Sequence, residues 1–471
     1  VIDAAVIDRK RRMGLPPQKA ASQDPTLRRM NWEEVSLGFT AEQARAEAER
    51  CIHCPAAPCQ KACPLHNDIS SALAYLEDGD ILRAANHFRQ TSPFPEVCSR
   101  VCPQERLCEG SCVIGKRGTS VHIGLLERFV ADRQRLQESL PTLVPAADTG
   151  KSVAIVGAGP AGMAAAEDLR LLGHRVVVYD SWPLPGGVLR YGIPSFKLPK
   201  AIISAKCAQL EDAGVQFECG IRIDGASGLK SLVDRGFDAI LLANGADAGA
   251  RLEVPGEDLA NVWLATDFLV RANLPASELP NTVDSRVKVG KRIVVVGGGD
   301  TAIDCCRSAI RSGAEDVLCL YRRTEEEMPG RKEERAYARD EGVRFEFLAM
   351  PLRLIGKDGA VSEVECTRMT LREPDAKGRR QVSPTPNSSF TISADTVIVA
   401  AGYHVDEALA DLAPGVSLQS NGTVKADSKT LSTNLPGVFA AGDVVVGPNL
   451  VVTAAAAGRL AATSIHRYMT G

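Results

Sequence analysis

Eight of the fourteen cysteines in this 471-residue chain fall between positions 51 and 112, as Cys51, Cys54, Cys59 and Cys63 and then Cys98, Cys102, Cys108 and Cys112. The first group reads C-x2-C-x4-C-x3-C-P and the second C-x3-C-x5-C-x3-C. Spacing this tight lets several thiolates converge on one centre, so two [4Fe-4S] clusters are the leading expectation. Zinc is the competing reading, although structural zinc sites usually show two C-x2-4-C knuckles separated by a longer loop, and here the gaps come in one run. Disulfides would need an oxidising compartment. The chain starts without a charged-then-apolar leader, so the cysteines are expected to be reduced, in the cytoplasm.

The remaining sequence reads as an α/β protein of about three domains, with 45% hydrophobic but only 5% aromatic residues. A net charge of -3 offers no general field for nucleic acid or membrane, and no uninterrupted apolar run is long enough to span a bilayer. The basic run Arg9, Lys10, Arg11, Arg12 reads as a solvated arm or a local dock for a partner protein.

One pattern occurs twice: apolar strand, glycine-rich turn, small-residue helix, second strand. The first copy places Gly157, Gly159, Pro160 and Gly162 between the apolar run from Val153 and an alanine-rich helix, and the next strand ends at Asp180. This is G-x-G-x-x-G, with Gly157 for the tight turn, Gly159 for backbone approach to a pyrophosphate, Gly162 for helix–strand packing and Asp180 for ribose hydroxyls. The second copy has Gly297, Gly298, Gly299, Asp300, Thr301 and Ala302, and its second strand ends in Arg322 and Arg323. Arginine matches a phosphate where a carboxylate would repel it, so this copy is expected to prefer NADPH over NADH, with Arg331 a further candidate for the 2′-phosphate.

The segments downstream of the two copies assign the flavin. After Asp180 comes a turn-rich loop containing Gly186, Gly187 and Arg190 that is able to wrap a long ligand, and near the C-terminus come Gly442, Asp443 and a small-residue helix starting at Val451. These point to FAD on the first copy, with Asp443 near its ribityl or pyrophosphate part and the N-terminus of the last helix aimed at the ring. Further strands at 239–245 and 396–402, each ending in small residues and glycine, are read as parts of the same domain. The expected organisation is a helical iron–sulfur domain at 1–145, an FAD domain split between 146–283 and 391–471, and an NADPH domain at 284–390. The fold class is α/β, with two Rossmann-like domains of the two-dinucleotide-binding flavoprotein type. Cys305 and Cys306 are read as packing residues, and His53 and His66 as polar neighbours of the cysteines.

Together, the two cysteine groups, the segment Val121 to Phe129, the first fingerprint, Gly186 to Pro194 and Gly297 to Asp304 resemble the family of small (β) subunits of bacterial NADPH-dependent glutamate synthase. The same module resembles the electron-input half of dihydropyrimidine dehydrogenase. The resemblance implies interleaved ligation: one cluster on Cys51, Cys54, Cys59 and Cys112, the other on Cys63, Cys102, Cys108 and a fourth group. Glu127 corresponds to a glutamine ligand in dihydropyrimidine dehydrogenase, and Cys98 is the alternative by spacing. It also implies hydride passage from NADPH to FAD, then single electrons through the clusters to a large (α) subunit carrying the glutaminase and synthase sites. No side-chain acid or base is required for hydride transfer, so no catalytic proton donor is assigned. Two alternatives stand beside this reading: an NADPH:ferredoxin-type oxidoreductase subunit, and a zinc-containing nucleotide-binding sensor.

Overall fold

Two five-stranded parallel sheets carry the two glycine turns. The structure, a computed structural model, describes residues 7–224, 228–275, 278–279, 283, 287–375 and 380–471. The first sheet has the spatial order Val438–Ala440, Ala239–Leu242, Ser152–Val156, Arg175–Asp180, Gln216–Cys219, and the second Arg344–Phe347, Asp316–Tyr321, Arg292–Val296, Thr396–Val399, Val262–Leu264. In each, the strand before the glycine turn is central and parallel to both neighbours.

These central strands are apolar on both faces because both faces are covered. Val153 and Ile155 pack toward the helices Pro160–Leu171 and Val451–Thr470, while Ala154 and Val156 enter a separate core on the other side. Ile293 and Val295 likewise face the helix Asp300–Arg311, and Val294 and Val296 face a three-stranded antiparallel meander, Ala349–Lys357, Ala360–Pro374 and Arg380–Ser393. The chain passes from the first sheet to the second and back through two adjacent stretches, Ala248–Gly249 and Tyr403–His404, which pair antiparallel.

Three sequence expectations change here. The strand Thr396–Val399 pairs with Arg292–Val296 and Val262–Leu264, so it belongs to the second sheet rather than to the FAD domain. A short apolar strand ending in small residues looks the same from either sheet, and its non-local partner is what distinguishes them. The expected boundary at 391 falls inside the strand Arg380–Ser393, and the one at 283/284 adjoins 284–286, which lie outside the described residues. The basic run is not a free arm: Arg12 is buried, donating to the carbonyls of Glu49 and Cys51 and to both carboxylate oxygens of Glu77 at 2.7 and 2.9 Å.

The residues before 139 fold mainly as helices that pack on both sheet-bearing regions. The junction is a buried charge cluster. Glu341 accepts from Arg28 Nε at 2.9 Å, from Arg307 Nη2 at 2.8 Å and from Arg311 Nη1 at 2.7 Å, and Arg307 also pairs with Glu334. The Phe196 ring lies 4.5 Å from the Arg307 guanidinium and 4.1 Å from that of Arg311, and the adjacent Lys197 reaches Asp304 at 3.2 Å. Burial works against ionising Glu341, but hydrogen bonds from Arg307 and Arg311 outweigh it and hold the carboxyl at about 2.

Substituting Glu341→Gln leaves three buried guanidinium groups short of a charge, at a cost of about 3–5 kcal/mol. The thermal midpoint should fall by several degrees at pH 7. Because the folded-state pKa is depressed, the wild-type advantage is full above the unfolded value of about 4.3 and should fade as pH falls toward about 2. Melting curves across that range check both.

Candidate cofactor sites

At the first glycine turn the backbone, not side chains, makes the shape. Gly157 has φ +109°, and a Cβ there would stand 2.4 Å from the Ala243 carbonyl oxygen; one at Gly162 would stand 1.9 Å from the Gly157 oxygen. At Gly159, by contrast, an added Cβ meets nothing within 4 Å. The turn is therefore closed against the protein at its first and third glycines and open at the second, as a pyrophosphate requires.

Three segments border this opening. Gly186 N–H donates to the Ala158 carbonyl at 3.0 Å, and Gly187 sits so close that a Cβ would be 2.8 Å from Gly159 Cα. Asp180 accepts from Ala158 N–H at 2.7 Å and Trp182 N–H at 2.9 Å, and burial pushes its carboxyl up to about 6. Gly442 leads into Asp443, whose Oδ2 accepts from Asn449 N–H while Oδ1 is buried with no partner among the described residues. Asn244 Oδ1, on the segment beneath Gly157, is likewise buried with no partner among the described residues. Two orphaned acceptors beside an open glycine turn fit FAD, whose hydroxyl groups supply donors. The helix Val451–Thr470 is held against Pro160–Leu171 so tightly that a Cβ at Gly458 would be 2.1 Å from the Ala161 oxygen.

The second turn repeats the geometry. Gly299 is open where Gly297 abuts the Ala400 carbonyl and Gly298 lies against the Tyr321 ring. Asp300, Thr301 and Ala302 begin the helix Asp300–Arg311, and the 330–331 segment crosses the turn, with Gly330 N–H on the Gly298 oxygen at 3.0 Å and Arg331 N–H on Asp300 Oδ1 at 3.1 Å.

The cysteines separate into two neighbourhoods. Cys51, Cys54, Cys59 and Cys112 border the core of the N-terminal region and act on one another electrostatically. Cys63, Cys98, Cys102, Cys108 and Glu127 line one cavity with Asn67, Gln104 and Val452. Burial pushes Cys51 up to about 12 and Cys59 and Cys63 to about 11. Glu127 is raised well above the carboxylate range by burial and by Cys98 and Glu96, although Asn67 donates to it at 3.2 Å. Thiols and an acid so placed ionise against a positive centre, which is the donor set an iron–sulfur cluster takes. Cys98 and Glu127 both face this cavity, and His53 is a satisfied neighbour of the first group, on Ser70 and Glu77.

Residues 28–139 match the family described as dihydropyrimidine dehydrogenase domain II, 4Fe-4S cluster, and residues 151–458 that described as pyridine nucleotide-disulphide oxidoreductase. The glutamate synthase [NADPH] small chain of Azospirillum brasilense is 40% identical over 461 residues, covering 96% of this chain and 94% of its own. That of Escherichia coli (strain K12) is 39% identical, covering 96% of each. The chain belongs to the glutamate synthase small-chain family. Mycobacterium tuberculosis FprA in complex with NADPH shares its fold at TM-score 0.55 and 21% identity, over 68% of this chain and 84% of that one.

Within this small-chain family member, three expected ligand-binding arginines are turned elsewhere. Arg323 is buried and donates to the Arg380 carbonyl at 2.7 Å, because the strand end it occupies is capped by the meander. Arg331 sends its guanidinium into the N-terminal region, to the Arg100 carbonyl at 2.6 Å and Gln104 Oε1 at 3.1 Å. Arg190 braces its own loop through the Pro185 carbonyl and Ser204. Arg322 alone of the arginines expected at the 2′-phosphate is exposed. Cys305 and Cys306 are fully buried beneath the second turn. Asn244, Tyr321 and Gln104 escaped the sequence reading; Asn244 alone left a signal there, at the small-residue end of its strand.

Gly162→Val should lower the FAD content of the folded fraction about tenfold or more, since the side chain must displace the turn that approaches the pyrophosphate; the ratio of flavin to protein absorbance checks this. Cys112→Ser and Cys102→Ser should each remove a different one of two reduced-cluster resonance signals and about half the bound iron.

Proposed function

We propose that this chain is the electron-input subunit of a glutamate synthase. It oxidises NADPH at FAD and passes electrons through two [4Fe-4S] clusters to a large catalytic subunit, which makes L-glutamate from L-glutamine and 2-oxoglutarate in the cytoplasm. Among the described residues no helix is long and apolar enough to cross a membrane.

The observation that carries this reading is the continuity between the cysteine cavity and the first nucleotide fold. Cys63, Cys98 and Cys102 share one hydrophobic core with the strand Ser152–Val156 and the helix Pro160–Leu171, and Val452, in the first turn of the last helix, lines the cavity. Arg459 on that helix bonds Asp168 at 2.9 Å and the Thr91 carbonyl, tying flavin fold to cysteine region. We therefore assign the second cysteine group as the flavin's neighbour and the first, with Cys51, Cys54, Cys59 and Cys112, as the outer station. FAD supplies the exchange between a two-electron donor and one-electron carriers. The chain's own residues bind and align: Gly157 to Gly162 and Gly187 receive the FAD pyrophosphate, Asp180, Asn244 and Asp443 its hydroxyls, and Gly297 to Ala302 the nicotinamide nucleotide. Arg322 is assigned to the 2′-phosphate.

Anaerobic mixing with NADPH should bleach the flavin absorbance rapidly, NADH should not, and electrons should then reach an added large subunit. Bound zinc with no flavin reduction would overturn the proposal, as would productive transfer to a small ferredoxin-like acceptor alone. Arg322→Gln should raise KM for NADPH by about 10–100-fold, the loss of one charge-assisted phosphate contact, while KM for NADH stays unchanged.

A further inference from the structure

Arg331 stands between the second nucleotide turn and the second cysteine group. Its backbone N–H holds Asp300, the first residue of the second fingerprint helix, at 3.1 Å, and its neighbour Gly330 holds the Gly298 carbonyl. Its side chain, 9% exposed, points the other way, to the Arg100 carbonyl and Gln104 Oε1. Glu105, Glu333, Glu334 and Asp300 surround the guanidinium with negative charge, so the group is fixed in place as a cation.

Gln104 is the hub of the second cysteine group. Its Nε2 donates to the Ser99 carbonyl at 2.9 Å and toward that of Cys98 at 3.4 Å. Its backbone carbonyl accepts from the N–H groups of Leu107, Glu109 and Gly110, and its backbone N–H bonds the Cys102 carbonyl. Its side chain also packs against Gly124, at the foot of the helix that carries Glu127, so closely that a Cβ there would be 2.5 Å from Nε2. Every element of the second group except Cys63 thus leans on one residue, and Arg331 grips its side chain.

We propose that Arg331 is a positioning residue that transmits occupancy of the second nucleotide turn to the second cysteine group through Gln104. A phosphate settling over Gly299 bears on the 298–300 backbone to which Gly330 and Arg331 are bonded. The guanidinium, rigid and two-pronged, carries its effect to the loop between Cys98 and Gly110. The cluster environment then differs with nucleotide bound and absent, before any electron moves. This rests on the function proposed above and adds a coupling between its two ends.

The probe is 2′-phospho-ADP-ribose, which fills the turn but has no nicotinamide and exchanges no electrons. With it, backbone amide exchange at Leu107, Glu109 and Gly110 should slow about fivefold or more, and the reduced-cluster resonance signal that Cys102→Ser abolishes should change shape. In Arg331→Gln both responses should vanish while affinity for the probe stays within about threefold of wild type; Arg331→Lys, which keeps the charge but not the fork, should respond weakly. Unchanged exchange and spectra in the wild type overturn the proposal, whatever the variants do. So does a response that survives in Arg331→Gln, or a loss of probe affinity of about tenfold or more, which would return Arg331 to the phosphate. Iron is quantified first: its absence defeats the electron-input reading, whereas the exchange result tests the strut by itself.

Discussion

Glu341, with no exposed surface, accepts hydrogen bonds from three arginines that come from two distant parts of the chain: Arg28 near its start, and Arg307 and Arg311 on the fingerprint helix of the second sheet. Burying one anion and three cations is costly unless each is met, and here Glu334 balances Arg307 while the aromatic face of Phe196 takes the guanidinium planes. An apolar replacement of the same volume would hold the regions together without choosing an orientation. A hydrogen-bonded charge cluster admits one, and the relative placement of cysteine region, flavin loop and nucleotide fold depends on it.

Within that placement, closeness is obtained by leaving side chains out. Where the helix Val451–Thr470 meets Pro160–Leu171, glycine at 458 lets one helix rest on the backbone of the other. The last helix can then present its first turn to the cysteine cavity while its body still covers the first sheet. Distance governs electron passage between centres, so a methyl group at that contact would matter more than its volume suggests.

The fold class was legible because strand, turn, helix and second strand recur with both periodicities intact, and the two turns need glycine for reasons of backbone geometry alone. Spacing showed two consecutive runs of four cysteines, whereas the exchange that sets Cys112 beside Cys51, Cys54 and Cys59 and puts Cys63 in the cavity of the second run was implied only by the resemblance. Pairing of Thr396–Val399 was not, since an apolar strand states that it is buried and not beside whom. Arg323 and Arg331 show the same limit for sites: position after a strand predicts reach toward a ligand, but long side chains go where unmet carbonyls are, and those of Arg380 and Arg100 belong to distant sequence. Arg12 was misread for that reason too, its partners lying on Glu49, Cys51 and Glu77. Cys98 and Glu127 remain together on one cavity wall, as the spacing and the resemblance had separately placed them.

The chain leaves the first sheet at Ala248–Gly249 and returns at Tyr403–His404, and the two passages are hydrogen-bonded to each other. Everything between them is therefore attached through a single doorway whose two sides touch. Such an attachment lets one nucleotide fold be exchanged for another of different coenzyme preference, by splicing at two adjacent points, without reopening the flavin fold that surrounds it. The contacts that Arg28, Lys197 and Arg331 make across the junction would then have to be rebuilt.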